Sequence, residues 1–224
     1  MPPVATLPPG VLSMALADAR LPSGGHAHSA GMEPALLSGL SPALAEPLAL
    51  ARSRTTSLVE AGTAVVARHL ALAGADLDAV EMAWAARTPA PSMRDAARLL
   101  GRGYLRLALR LWPESAALRS LPRTPARAVV LGAMAAEAGT GPDELVRTVI
   151  YDEAACAAAA LLKLEPGDPA LATELVLRVC TLTEPQVCAV AALTDPAEIP
   201  AGSTPQAEEW AQAHAVMNKR LFRA

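Results

Sequence analysis

The chain has 224 residues, enough for one helical domain with a sizeable core, since single cores grow to about 250 residues before chains divide. Hydrophobic residues make up 52% but aromatics only 3%, so that core must be built from Ala, Leu and Val, which suits closely packed helices. A formal net charge of -3 excludes the basic face of a nucleic-acid binder, and no apolar run approaches the roughly 18 residues needed to cross a bilayer.

Residues 1–9 carry four prolines and lack the basic and apolar regions of an export signal, so a flexible start and a cytoplasmic location are expected. A helix is predicted over 11–19. The loop after it, Pro22-Ser23-Gly24-Gly25-His26-Ala27-His28, is the sharpest local constellation. Its glycines permit a tight turn, while Ser29 and Glu33 are placed to cap a following helix. His26 and His28, two residues apart, can chelate nickel or zinc, although they lack the further ligands of a closed site, and a structural or interface role suits the loop better.

Helices are predicted over 43–53, 55–74 and 77–87, the second with apolar Leu58, Val65, Val66, Leu70 and Ala73 at helical steps. In the next, Met93, Ala97, Leu100, Tyr104, Leu107 and Leu111 form the apolar face. Arg94, Arg98, Arg102, Arg106 and Arg110 step by four along another side and read as a solvated stripe that can also dock an acidic partner. A helix over 126–138 follows, then one opened by Pro142 and running to 163, apolar nearly all round and therefore expected to be the buried central helix. Within it, Asp152 and Glu153 are best read as partners of arginines, because no nucleophile accompanies them as an acid and base pair. Helices over 169–183 and 206–221 complete a single-domain all-α bundle of about 8–10 helices, with no period-two run that would make a sheet.

Cys156, Cys180 and Cys188 lie in Ala- and Val-rich surroundings, where inert packing in a reducing compartment is expected rather than a disulfide framework. No phosphate-binding P-loop, His-Glu-x-x-His or Cys-x-x-Cys occurs, so neither a nucleotide site, an enzyme centre nor a firm metal site is expected, and no cofactor is implied. The end of the chain is different. His214, Lys219, Arg220 and Arg223 surround Leu221 and Phe222, the single Phe of the sequence. Such a tail either meets a partner, with Phe222 as the anchor, or folds back on its own domain.

Two of these segments together carry a family resemblance. The stretch from Asp18 through Leu21-Pro22-Ser23-Gly24-Gly25-His26-Ala27-His28-Ser29 to Glu33 resembles the amino-terminal motif of the urease accessory protein UreF family. His214 with Arg220-Leu221-Phe222-Arg223 resembles that family's ending, and between the motifs Gly101-Arg102, Gly132 and the Ala-rich run into Leu161 keep its order. The chain departs from the family's pattern over 161–168, where a usual Arg and Gln are missing. The resemblance implies an all-helical, non-catalytic protein, homodimeric within a complex containing the accessory protein UreD or UreH. That complex recruits the GTPase UreG and docks on apo-urease so that nickel is inserted. It further implies that the tail is ordered by UreD or UreH, and that the 22–33 loop lies near partner surfaces or the nickel route. A nickel-binding metallochaperone using His26 and His28, with His69 or a cysteine, is the alternative.

Overall fold

Proline and glycine set the helix boundaries. Pro91, Pro142, Pro169 and Pro205 each occupy a first turn, where the missing N–H has no helical partner to lose. Gly139, at φ 69°, takes the left-handed conformation that ends a helix. The computed structural model describes residues 7–8, 10–18, 20–218 and 221–222. The proline-rich start at 1–6 and Pro9, and the tail cations Lys219, Arg220 and Arg223, lie outside the described residues.

In chain order the α-helices are α1 (Val11–Leu16), α2 (Met32–Leu37), α3 (Ala45–Ser53), α4 (Thr56–Leu72), α5 (Asp78–Arg87) and α6 (Pro91–Leu111). They continue with α7 (Ala116–Ser120), α8 (Arg127–Ala138), α9 (Pro142–Leu164), α10 (Pro169–Thr183), α11 (Val187–Ala191) and α12 (Pro205–Ala215). No strand occurs among the described residues, so the fold is all-α. Ten of these helices have six residues or more, in line with the expected 8–10, and α7 and α11, five residues each, are too short to display a period.

The core forms around α4, which packs against α8 and against α9. At the α4–α8 contact the backbones nearly touch: a Cβ on Gly132 would lie 2.3 Å from the Ala64 carbonyl oxygen. The small side chains of Ala64, Ala67, Ala133 and Ala135 allow this approach, so short residues supply the close packing that aromatics give elsewhere. One expectation is corrected here. The most enclosed helix is α8, buried without interruption from Arg127 to Ala135, whereas α9 leaves Tyr151 and Ala159 exposed along one side. α9 is nonetheless central in connectivity, touching α1, α2, α3, α4, α10 and α11. No helix of the described residues is long and apolar enough to cross a membrane.

The helix expected to reach residue 221 stops at Ala215. Beyond it the chain turns, and Phe222 returns to the interior, 4% exposed, beside Met32, Ala45, Ala157 and Ala160.

Candidate functional site

The two sequence-marked ends of the chain meet. Glu33, in the first turn of α2, is 2% exposed. Its Oε2 accepts hydrogen bonds from His214 Nε2 at 2.8 Å and from the Phe222 amide at 2.8 Å, and its Oε1 accepts from the Leu221 amide at 2.5 Å. The expected cap is therefore absent. Gly31 occupies the N-cap position of α2 with no side-chain cap, Ser29 is fully buried with its hydroxyl unpartnered, and Glu33 is committed to the tail. Lys163, at the end of α9, places its ammonium 5.1 Å from the centre of the Phe222 ring. Leu221 faces the other way and is 64% exposed, close in sequence to Val216 at 82%.

The 22–28 loop lies flat on α6. Gly103 makes this possible, since a Cβ there would come within 2.3 Å of the Ser23 carbonyl oxygen, and the Ser23 hydroxyl accepts from the Gly25 amide at 3.3 Å. Gly24, at φ 90°, and Gly31, at φ 80°, take left-handed conformations that side-chain-bearing residues adopt at a cost. The loop forms a partition. Pro22, Gly24 and exposed His26 border an outer groove, while buried His28 borders both that groove and an inner cleft.

That cleft, of about 110 Å³, is walled by a buried charge cluster. Arg127, whose side chain is 5% exposed, reaches Glu153 at 2.5 Å, Asp152 at 3.3 Å and Glu60 at 3.4 Å, and Arg52 adds a second cation 3.6 Å from Glu153. The Trp84 indole N–H donates to Glu60 at 2.6 Å. Burial opposes the Arg127 charge, but Glu153, Glu60 and Asp152 outweigh it and hold the guanidinium protonated. For Glu153 burial is likewise outweighed, by Arg127 and Arg52, and the acid stays below its ordinary range. Burial wins at Glu60, which is raised, and at Asp152, which is pushed up to about 6 with Glu153 adding repulsion against a partial offset from Arg127. The pairing of Asp152 and Glu153 with arginines matches the sequence reading. Cys156 sits beside them, its thiol pushed far up by burial and by Asp152, which leaves it protonated and unreactive.

A pH dependence follows from Asp152. The folded state holds this proton more tightly than the unfolded chain, whose Asp titrates near 3.9, so this group's contribution to stability declines as pH rises from about 4 to about 6. Asp152→Asn is expected to stabilise the protein by about 1 kcal/mol at pH 7.5 and to lose that advantage at pH 4, as read by urea unfolding at both values.

Among the described residues, no group of three or more His, Cys, Asp or Glu side chains is placed to hold a metal ion. His26 is exposed and His28 buried, both bordering the outer groove with no Cys, Asp or Glu among its lining residues, and His69 is exposed in the last turn of α4. The arginine stripe is not uniformly solvated. Arg94 donates to the carbonyls of Thr88 and Pro89, Arg98 pairs with Glu81 and lies over Trp84, and only Arg102, Arg106 and Arg110 face solvent.

The model of the UreF family matches residues 48–180, over half of the chain. The chain belongs to the UreF family of urease accessory proteins. It is similar to urease accessory protein UreF of Mycobacterium sp. (strain JLS), 40% identical over 218 residues that cover 93% of this chain and 96% of the relative. The UreF proteins of Mycolicibacterium vanbaalenii and Mycobacterium tuberculosis (strain H37Ra) are 40% and 36% identical over 189 residues, 82% of this chain and 88% of each relative. Of the UreF motif residues, the fold brings Glu33, His214, Leu221 and Phe222 to one point and sets Pro22, Gly24, Gly25 and His26 on the neighbouring loop. The 161–168 segment, where the chain departs from the family pattern, supplies Lys163 to the Phe222 ring and Asp168 as the N-cap of α10, its carboxylate accepting from the Ala170 amide.

Sequence reasoning missed Arg127, Arg52 and Glu60. Their signal was present only as single charges at the edge of or within apolar stretches, at 52, 60 and 127.

Proposed function

We propose that this UreF protein is a non-catalytic scaffold of urease maturation in the cytoplasm. It pairs with UreD or UreH through its tail and the 22–33 loop, dimerises, recruits the GTPase UreG, and presents the assembly to apo-urease for GTP-dependent nickel insertion. The observation that carries this reading is the two-sided tail. Glu33 binds the Leu221 and Phe222 amides with the Phe222 ring inside, while the Leu221 and Val216 side chains remain outside, large, apolar and with nothing over them among the described residues. Exposed apolar side chains on an ordered segment are what a partner's pocket recognises.

Because Phe222 also fills the protein's own core, deleting the tail would confuse stability with binding. The surface variant Val216→Asp, Leu221→Asp separates them. It is expected to abolish co-purification with UreD or UreH while leaving helical content and the urea midpoint unchanged. Undiminished co-purification would overturn the tail assignment.

A further inference from the structure

The outer groove beside the 22–28 loop carries charge of one sign. It encloses about 440 Å³ between Pro22, Gly24 and His26 on the loop and Leu99, Arg102 and Arg106 on α6, and no Asp or Glu lines it. Several exposed arginines elsewhere are engaged, Arg147 with Glu184, Arg178 with Glu46 and Glu174, Arg119 with Glu114 and Arg20 with Asp18, whereas Arg110 and Arg123 are exposed singly, outside any groove of the loop. Among the described residues Arg102 has no ion pair or hydrogen bond, and Arg106 makes only a long 3.5 Å hydrogen bond to the Pro22 carbonyl. In a chain of formal net charge -3, two uncommitted guanidinium groups one helical turn apart form a marked local excess of positive charge. The wall of the groove is set from beneath, because Gly103 lets the loop settle onto α6 beside these two arginines.

We infer that this groove docks an acidic segment of a partner protein, with two carboxylates of that segment received by Arg102 and Arg106. A guanidinium fork matches a carboxylate with two parallel N–H donors, and a pair of forks one turn apart fits neighbouring acidic side chains on a peptide. Leu99 and Pro22 offer apolar surface to the peptide's aliphatic carbons. A nucleotide is a poorer fit, since no Phe, Tyr or Trp lines the groove to stack a base. This inference rests on reading the loop as a partner surface and specifies the chemistry of what meets it.

The test is calorimetric titration of the full chain with a capped, glutamate-rich octapeptide, with inorganic phosphate and GTP titrated separately, at low and at high salt. The peptide is expected to bind at low salt and to weaken as salt rises. Arg102→Ala, Arg106→Ala should weaken it about tenfold or more, the loss expected from two charge-assisted contacts. Arg119→Ala, Arg123→Ala should leave it unchanged. The groove assignment is overturned if the unaltered chain does not bind the peptide, if the Arg102 and Arg106 variant binds as well as the original, or if phosphate or GTP binds as tightly as the peptide. The Val216 and Leu221 experiment leaves this groove untouched, so failure of the scaffold reading and failure of the groove are separately visible.

Discussion

Arg127→Met is expected to destabilise the protein by about 3–5 kcal/mol at pH 7.5, the cost typical of removing one partner from a buried ion pair. Glu60, Asp152 and Glu153 would then share the single remaining cation, Arg52, which stands 3.6 Å from Glu153. Methionine fills most of the arginine's volume, so the loss reports charge rather than a cavity. The pH profile provides the check. Without Arg127 the three carboxylates rise in pKa and the folded variant takes up protons, whereas the original protein draws stability from a Glu153 held below its ordinary range and loses that contribution as pH falls. The gap between the two should therefore narrow from pH 7.5 towards pH 4. A gap that is constant with pH would mean that the cluster is held by packing alone.

Glu33→Ala is expected to cost about 3 kcal/mol and to release the tail. A carboxylate that accepts from His214 and from the Leu221 and Phe222 amides leaves three buried or half-buried donors without a partner when removed, and each such donor costs on the order of 1–3 kcal/mol if water does not reach it. Local reopening to solvent caps the total. Hydrogen exchange reads the release directly: the Leu221 and Phe222 amides should lose protection in the variant while those of α4 and α8 keep theirs. Equal protection in both proteins would show that the Phe222 ring, not Glu33, holds the tail. In the scaffold reading, the same variant should bind UreD or UreH more weakly, because Leu221 would have to be ordered at the moment of binding.

These two residues also show where local sequence signals stop. The long helices were legible because a proline at a first turn and a period of three to four are written into a few adjacent residues, as at Pro142 and along Met93 to Leu111. Glu33 was read as half of a capping pair with Ser29 because that spacing is a local signal. Its true partners lie 181 to 189 residues away, where no spacing rule reaches. The preference of Asp152 and Glu153 for arginine followed from the expense of unpaired buried charge, but not which arginine answers it. Nothing local marks Arg127 or Glu60 as the answering groups, because they come from α8 and α4, far from α9 in sequence. The depth of α8 has a related cause: burial there is set by how closely Gly132 lets α4 approach, and no periodicity within α8 itself records that approach. The tail was left with two readings, and the structure uses both sides of it, one residue turned in and its neighbour turned out.

The hydrogen bond from Trp84 to Glu60 gives the charge cluster an optical reporter. Trp84 is fully buried, with its indole N–H on one of the carboxylates and Arg98 stacked 5.6 Å from its ring. An indole's emission responds to charges placed along its long axis, so protonation or displacement of Glu60 will be written into the fluorescence of this one side chain. Trp112, in the same hydrophobic core as Trp84, and Trp210, beside a separate cluster, make no hydrogen bond to the charge cluster among the described residues, so substituting them with phenylalanine isolates the signal. Rearrangement at the heart of the protein can thus be followed in real time, without a label, while a partner is added from outside.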